Sequence, residues 1–167
     1  MPAELQSQDI EQALSSAMRP GVDFADLYFQ RSRGENWLMD DGIIKDGGYH
    51  LEQGVGVRAC SGEKTGFAYS DDLSLKSLLE ATSAASAVVK HGQQKQIDAR
   101  KNVHASPFYS DLDPILGMDT QTKLNLLREA DAYARAADPR VTQVTVSLAG
   151  SLEHILIAAS DGTYAAD

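Results

Sequence analysis

The chain has 167 residues, 43% hydrophobic and 23% charged, with a net charge of −9 and a single cysteine, Cys60. This length suits one domain that buries about 70% of its unfolded surface, and no apolar run approaches the roughly 20 residues of a membrane-spanning helix. The acidic balance repels phosphate backbones, and the pairs Arg31 with Arg33 and Arg100 with Lys101 are too small to reverse it, which argues against a nucleic-acid partner. The start, MPAELQSQD, lacks the basic and apolar regions of a secretory signal, and one cysteine cannot staple the fold, so a cytoplasmic location is expected.

Ile10, Ala13, Leu14, Ala17 and Met18 recur at helical spacing between a candidate cap, Ser7, and the breaker Pro20-Gly21, predicting a first amphipathic helix. Period two follows, with Ala25, Leu27 and Phe29 on one face of a strand. Gly34 is expected to turn the chain into a second strand around Trp37 to Met39, Asp41-Gly42 is a hairpin signal, and Gly47-Gly48 predicts another turn. A third strand runs from Tyr49 to Ala59, and Ser61 to Lys64 turns into a fourth from Gly66 to Tyr69. Asp71 and Asp72 are placed to cap a second helix with Leu75, Leu78, Leu79, Thr82, Ala85 and Val89 on one stripe, ended by His91-Gly92.

From Gln93 to Pro114 no period persists, so a long loop is expected. Asp119 or Thr120 starts a third helix, with Leu124, Leu127, Ala130, Ala134 and Ala137 in register, ended by Asp138-Pro139. Val144, Val146 and Leu148 then alternate with polar residues, Gly150 is expected to turn, His154 to Ala159 forms a second limb, and Asp161-Gly162 leads into a strand at Thr163 to Ala166. The expected fold is α+β, a mostly antiparallel sheet of about six to seven strands packed with three helices, in the order α-ββββ-α-α-βββ and cut at Asp167.

Gly54-Val55-Gly56-Val57-Arg58-Ala59 fits the G-x-G-x-x-A dinucleotide fingerprint, but Ser61-Gly62 breaks the chain where that motif needs a helix. Glycines two apart on a strand face instead mark close packing by another backbone or a bulky side chain. Gly62-Glu63-Lys64-Thr65 brushes a Walker A ending with the wrong spacing. His50, His91, His104 and His154 are scattered and no HExxH or HExxxH occurs, so no metal site is expected; His50 and Glu52 share a strand face as a solvated pair. Cys60 has no evident base and reads as a small buried hydrophobe rather than a nucleophile. The doublets Asp40-Asp41 and Asp71-Asp72 precede a turn and a helix, where such residues serve structure.

Three segments, Ala25 to Gln30, Ile43 to Tyr69 and Ala137 to Asp167, together with the element order, resemble the amino-terminal part of the TldD/PmbA (TldE) family of zinc metallopeptidases, the "modulators of DNA gyrase". The likeness runs over essentially the whole chain. It implies that zinc is held by an HExxxH helix in a C-terminal half beyond Asp167, whose Glu polarises the metal-bound water. None of those residues occurs here, so no catalytic, cofactor-binding or metal residue is assigned to this chain. The implied partners are a TldE/PmbA-like subunit, the catalytic C-terminal domain and small or unfolded peptides, with processing of microcin-type precursors and turnover of an antitoxin as the implied tasks. Residues 1–167 would then form a non-catalytic N-terminal domain serving as scaffold and interface. A stand-alone peptide- or protein-binding module is the alternative, and an enzyme dependent on Cys60 ranks last.

Overall fold

A computed structural model describes residues 5–87, the backbone of 101–102, and 112–167. The expected helix end at His91-Gly92, Val89 of the apolar stripe, His104 and most of the Gln93 to Pro114 loop lie outside the described residues. The described elements run α1 (Ser7–Ala17), β1 (Phe24–Asp40), β2 (Ile43–Ser61), β3 (Lys64–Ser70), α2 (Leu75–Ala87), β4 (Lys101–Asn102), α3 (Thr120–Ala137), β5 (Thr145–Ala159) and β6 (Thr163–Ala166). The sheet order is β3-β2-β1-β5-β6-β4; β2 with β3 and β5 with β6 pair antiparallel, while the two-residue β4 lies parallel to β6.

The α+β class and the three helices match the expectation, but the strand list does not. Among the described residues five strands of four or more residues stand where about six to seven are expected, because Gly34, Gly47-Gly48 and Gly150 do not turn the chain. Among the described residues the glycines with positive φ are Gly21, Gly42, Gly62 and Gly162, so Gly34, Gly47, Gly48 and Gly150 keep ordinary strand backbone. The His50 imidazole lies over Gly34, and a Cβ on Gly47 would stand 2.7 Å from the Trp37 ring. A Cβ on Gly48 would meet the Asn36 carboxamide at 2.7 Å. These glycines make room for bulky neighbours within a strand rather than bending it.

The true turns carry the required backbone. Asp41 and Gly42 have φ of 48° and 74°, the positive pair of a type I′ hairpin loop. At the β2–β3 turn only Gly62 is positive, as in a type II′ loop, and Gly162 at φ 92° closes a turn in which its N–H donates to the Ala159 carbonyl at 3.1 Å. The first helix is capped one residue earlier than expected: Gln6 is the N-cap and its N–H donates to the Asp9 carboxylate at 2.8 Å, leaving Ser7 as the first helical residue.

The chain divides into two compact units. The first takes Met1–Arg31, Glu52–Phe108 and His154–Asp167. Its core places Ala25, Leu27 and Phe29 of β1, Val55, Val57 and Ala59 of β2, and Leu156 and Ala158 of β5 with the buried faces of α1 and α2. The Ser86 hydroxyl donates to the Ala17 carbonyl at 2.9 Å and the Ser16 and Thr82 hydroxyls meet at 2.6 Å, so the helix pair is joined by small polar groups. The second unit takes Ser32–Leu51 and Tyr109–Glu153, with Met39, Ile115, Leu127 and Val144 buried. On α3 only Lys123 and Leu127 are buried, and Ala130 and Ala137 of the expected stripe face solvent.

Two glycine substitutions separate the two roles. Gly42→Ala meets open space and is expected to cost about 1 kcal/mol from its positive φ alone, whatever its neighbours. Gly47→Ala is expected to destabilise through the Trp37 ring, and urea unfolding should show that cost removed in a Trp37→Ala background.

Candidate functional site

The strongest polar constellation lies in the second unit and is built on alternate residues of β1. Arg33 donates to Asp113 at 2.7 Å, and the Asp113 carboxylate also accepts the N–H groups of Ile115 at 2.9 Å and Leu116 at 3.0 Å. One β1 arginine thus fixes the turn that leads to α3. Two residues along the strand, Glu35 meets the Lys123 ammonium at 2.5 Å, and Lys123 donates to the Ile115 carbonyl at 2.6 Å. Both side chains are nearly sealed, at 6% and 11% exposure for Lys123 and Glu35. Gly150 adjoins this pair, its missing Cβ lying 4.0 Å from Glu35 and 3.8 Å from Ile115. All charges here are matched, so the cluster locks a turn and a helix onto β1; it presents neither a free base nor an unsatisfied nucleophile. Sequence reasoning missed Lys123, since a lysine among helix formers has no pattern that marks it as buried.

In the first unit the functional candidate is a surface. Opposite the helices, the sheet carries Tyr28, Phe67 and Tyr69, with Phe67 64% and Tyr69 81% exposed. Arg58 on this face clasps Asp26 through Nε at 3.0 Å and a second contact through Nη2, and its guanidinium lies 5.8 Å from the Phe24 ring centre. The Asp26 hydrogen bond raises the already high Arg58 pKa, so the charge is permanent. The glycine pair of the apparent dinucleotide motif belongs here. A Cβ on Gly56 would stand 3.3 Å from the Phe67 ring and one on Gly54 3.1 Å from the Ser70 carbonyl, so both are packing glycines in mid-strand.

The other candidate residues have structural partners. Asp40 accepts from the Thr145 hydroxyl at 3.0 Å, and Asp41 accepts from the Val144 N–H at 3.0 Å and from Arg135 at 2.6 Å. Asp72 accepts from Ser74 and Ser77 at the start of α2, and Asp119 caps α3 by accepting the Thr122 N–H at 2.8 Å. The Cys60 thiol is half-buried 3.7 Å from the Thr65 hydroxyl, which is not a base. His50 and His154 are exposed on separate strands. Among the described residues no three His, Cys, Asp or Glu side chains converge as a metal site, so zinc does not fit this set and no step through a metal is derived from it. Among them, too, no helix is long and apolar enough to cross a membrane.

Comparison with known sequences decides the family. The description "PmbA/TldA metallopeptidase domain 1" matches residues 25–89, and "PmbA/TldA metallopeptidase central domain" matches residues 113–167. The chain belongs to the TldD/PmbA family. Two similar relatives are the metalloprotease TldD homologs of Haemophilus influenzae and of Buchnera aphidicola subsp. Acyrthosiphon pisum. They are 42% and 39% identical over 99% and 98% of this chain. The chain spans about a third of their length, 35% and 34%. Among solved structures, a Thermotoga maritima protein named as a modulator of a DNA gyrase has a TM-score of 0.74 at 15% identity, covering 96% of this chain and 36% of that one. TldE from Thermococcus kodakarensis has 0.70 at 15%, covering 95% and 36%. At these identities the structures show a shared fold.

The charge clusters give two tests. Removing one partner of the sealed pair, as in Glu35→Gln, leaves a buried ammonium uncompensated and is expected to cost about 3 to 5 kcal/mol, whereas Glu35→Met with Lys123→Leu should recover most of that loss in urea unfolding. Among the described residues six carboxyls are held below the usual carboxylate range, Asp41 by the Val144 N–H and then Arg135, Asp72 by Ser77 and Ser74, Asp113 by the Leu116 N–H, Asp119 by Thr122, Asp138 by Arg140 and Asp161 by the Thr163 N–H. A depressed folded pKa gives stability that is present above the unfolded value of about 3.9 and is lost as pH falls through the folded value. The urea midpoint is therefore expected to fall as pH drops below about 4, with a shallower fall in Asp41→Asn.

Proposed function

We propose that this chain is the non-catalytic amino-terminal part of a TldD-like zinc metallopeptidase subunit, with residues 1–167 as scaffold and interface and the catalytic residues in a C-terminal domain outside it. The observation that carries this reading is the match to metalloprotease TldD homologs over nearly all of this chain but only about a third of theirs. Two observations fit a supporting role: Arg33, Glu35, Asp113 and Lys123 are spent on ion pairs, and Tyr28, Phe67 and Tyr69 are exposed on the sheet. In the complete protein, zinc bound in the C-terminal domain would activate water for attack on a peptide carbonyl.

The substrates on this reading are small or unfolded peptides, including microcin-type precursors and a labile antitoxin, and the site of action is the cytoplasm. The partner is a TldE/PmbA-like subunit; the fold shared with TldE from Thermococcus kodakarensis supports pairing between similarly built chains. The isolated 167-residue chain is expected to show no chelator-sensitive cleavage of an unfolded peptide. Joined to the remainder of its reading frame it is expected to gain that cleavage, with activity restored by added zinc after chelation. Cleavage by the purified short chain, or a full-length protein inert with zinc and its partner, would overturn the reading. Stable peptide binding by the short chain without any catalytic extension would favour the binding-module alternative.

A further inference from the structure

One buried donor in the first unit lacks an acceptor: the Nε–H of Arg31 is sealed from solvent and has no hydrogen-bond partner. Among the described residues no carboxylate pairs with its guanidinium, and Arg33, two residues along β1, is spent on Asp113. A desolvated cation without a counter-charge is costly until something supplies one. We propose that Arg31 of β1, Gln53 of β2 and His154 of β5 form a binding site for a peptide carboxylate.

The strand registers bring these side chains to one place. The Ser160 N–H donates to the Ala25 carbonyl at 2.8 Å, which fixes an antiparallel offset of β5 on β1 that sets His154 opposite Arg31. The same offset recurs where the Asp41 N–H donates to the Val144 carbonyl at 2.9 Å, so no bulge shifts it along the strand. On the other side, the Asp26–Arg58 ion pair and the Tyr28 carbonyl 4.0 Å from the missing Cβ of Gly56 share one offset of β2 on β1. That offset, repeated by Gly34 with His50, sets Gln53 opposite Arg31. Directly opposed residues share a sheet face, with Cβ atoms about 4.5 to 5.5 Å apart. The face is the one that carries the helices, because Phe29, Val55 and Leu156, two residues along each strand, lie in the core with α1 and α2.

All three side chains have donors to spare. Gln53 and His154 are exposed, and among the described residues neither is held by a hydrogen bond or an ion pair. Arg31 offers a planar fork of N–H groups, Gln53 a carboxamide N–H and His154 a ring N–H, all able to donate to an anion's oxygens. A planar anion with two oxygens matches the guanidinium fork, and a phosphate dianion is opposed by the net charge of −9, so a carboxylate is the ligand. Buried Phe29, Val55 and Leu156 keep water from one side of the guanidinium, which strengthens the charged contact. The choice of a peptide as the carboxylate's source rests on the reading above; binding is measured without cleavage, so the two fail separately.

Nuclear magnetic resonance of the isotope-labelled 167-residue chain at neutral pH tests this, following the Arg31 Nε–H and the His154 ring. The probes are acetyl-Ala-Ala, acetyl-Glu amide and acetyl-Ala-Ala amide, titrated at constant ionic strength. Both acids are expected to shift the two signals with a dissociation constant of about 1 to 10 mM, a single contact far weaker than stable capture of a peptide, while acetyl-Ala-Ala amide leaves them in place. Tighter binding of acetyl-Ala-Ala supports a peptide C-terminus as the source, and tighter binding of acetyl-Glu amide an acidic side chain. Arg31→Met is expected to abolish the His154 shift while the urea midpoint holds or rises, because an unpaired cation is removed. Arg31→Lys is expected to weaken binding about fivefold or more through loss of the fork, and it decides if Arg31→Met does not fold. No shift with up to about 50 mM of either acid, an equal shift with acetyl-Ala-Ala amide, or undiminished binding by a folded Arg31 variant overturns the proposal.

Discussion

Side chains laid over bare glycines hold this fold together. β1 and β2 run for 17 and 19 residues, far longer than common strands of about 5 to 6, and they stay unbroken because Gly34, Gly47 and Gly48 leave space for His50, Trp37 and Asn36. Without that space the rings would lift the facing backbone and end the ladder. Each compact unit takes a portion of these two strands, the first packing α1 and α2 on them and the second anchoring the turn before α3 to Arg33 and Glu35.

That dependence also explains what the sequence made legible. Helices are written in apolar spacing, so Ile10, Ala13 and Ala17 or Leu78, Thr82 and Ala85 are found where the period puts them. The two-residue loops at Asp41-Gly42 and Gly62-Glu63 are equally plain, since positive φ demands particular residues. Glycines inside strands look like turn glycines in the sequence because the same residue answers two needs, a left-handed backbone or a missing side chain. Only the partner across the ladder tells them apart, and a single chain read in order does not display it. Gly54 and Gly56 are legible as packing positions because Ser61-Gly62 turns the chain where the dinucleotide motif needs a helix.

The polar cluster was less legible than the sheet. Asp119 as a cap follows from its place before a helix, whereas the meeting of Glu35 with Lys123 joins residues far apart in the chain. Neither has a local cue, for burial of a charge is a property of the pair. Family resemblance carries the functional reading where spacing cannot, because no residue pattern in these 167 residues names a chemistry by itself.

The sealed pair of Glu35 and Lys123 also constrains how this chain can drift over generations. Either position changed alone passes through a poorly folded intermediate, and a longer guanidinium in place of the ammonium finds little room in so enclosed a site. Lineages are therefore expected to inherit the two residues together or to exchange both for apolar ones, so that their histories are linked although most of the chain separates them.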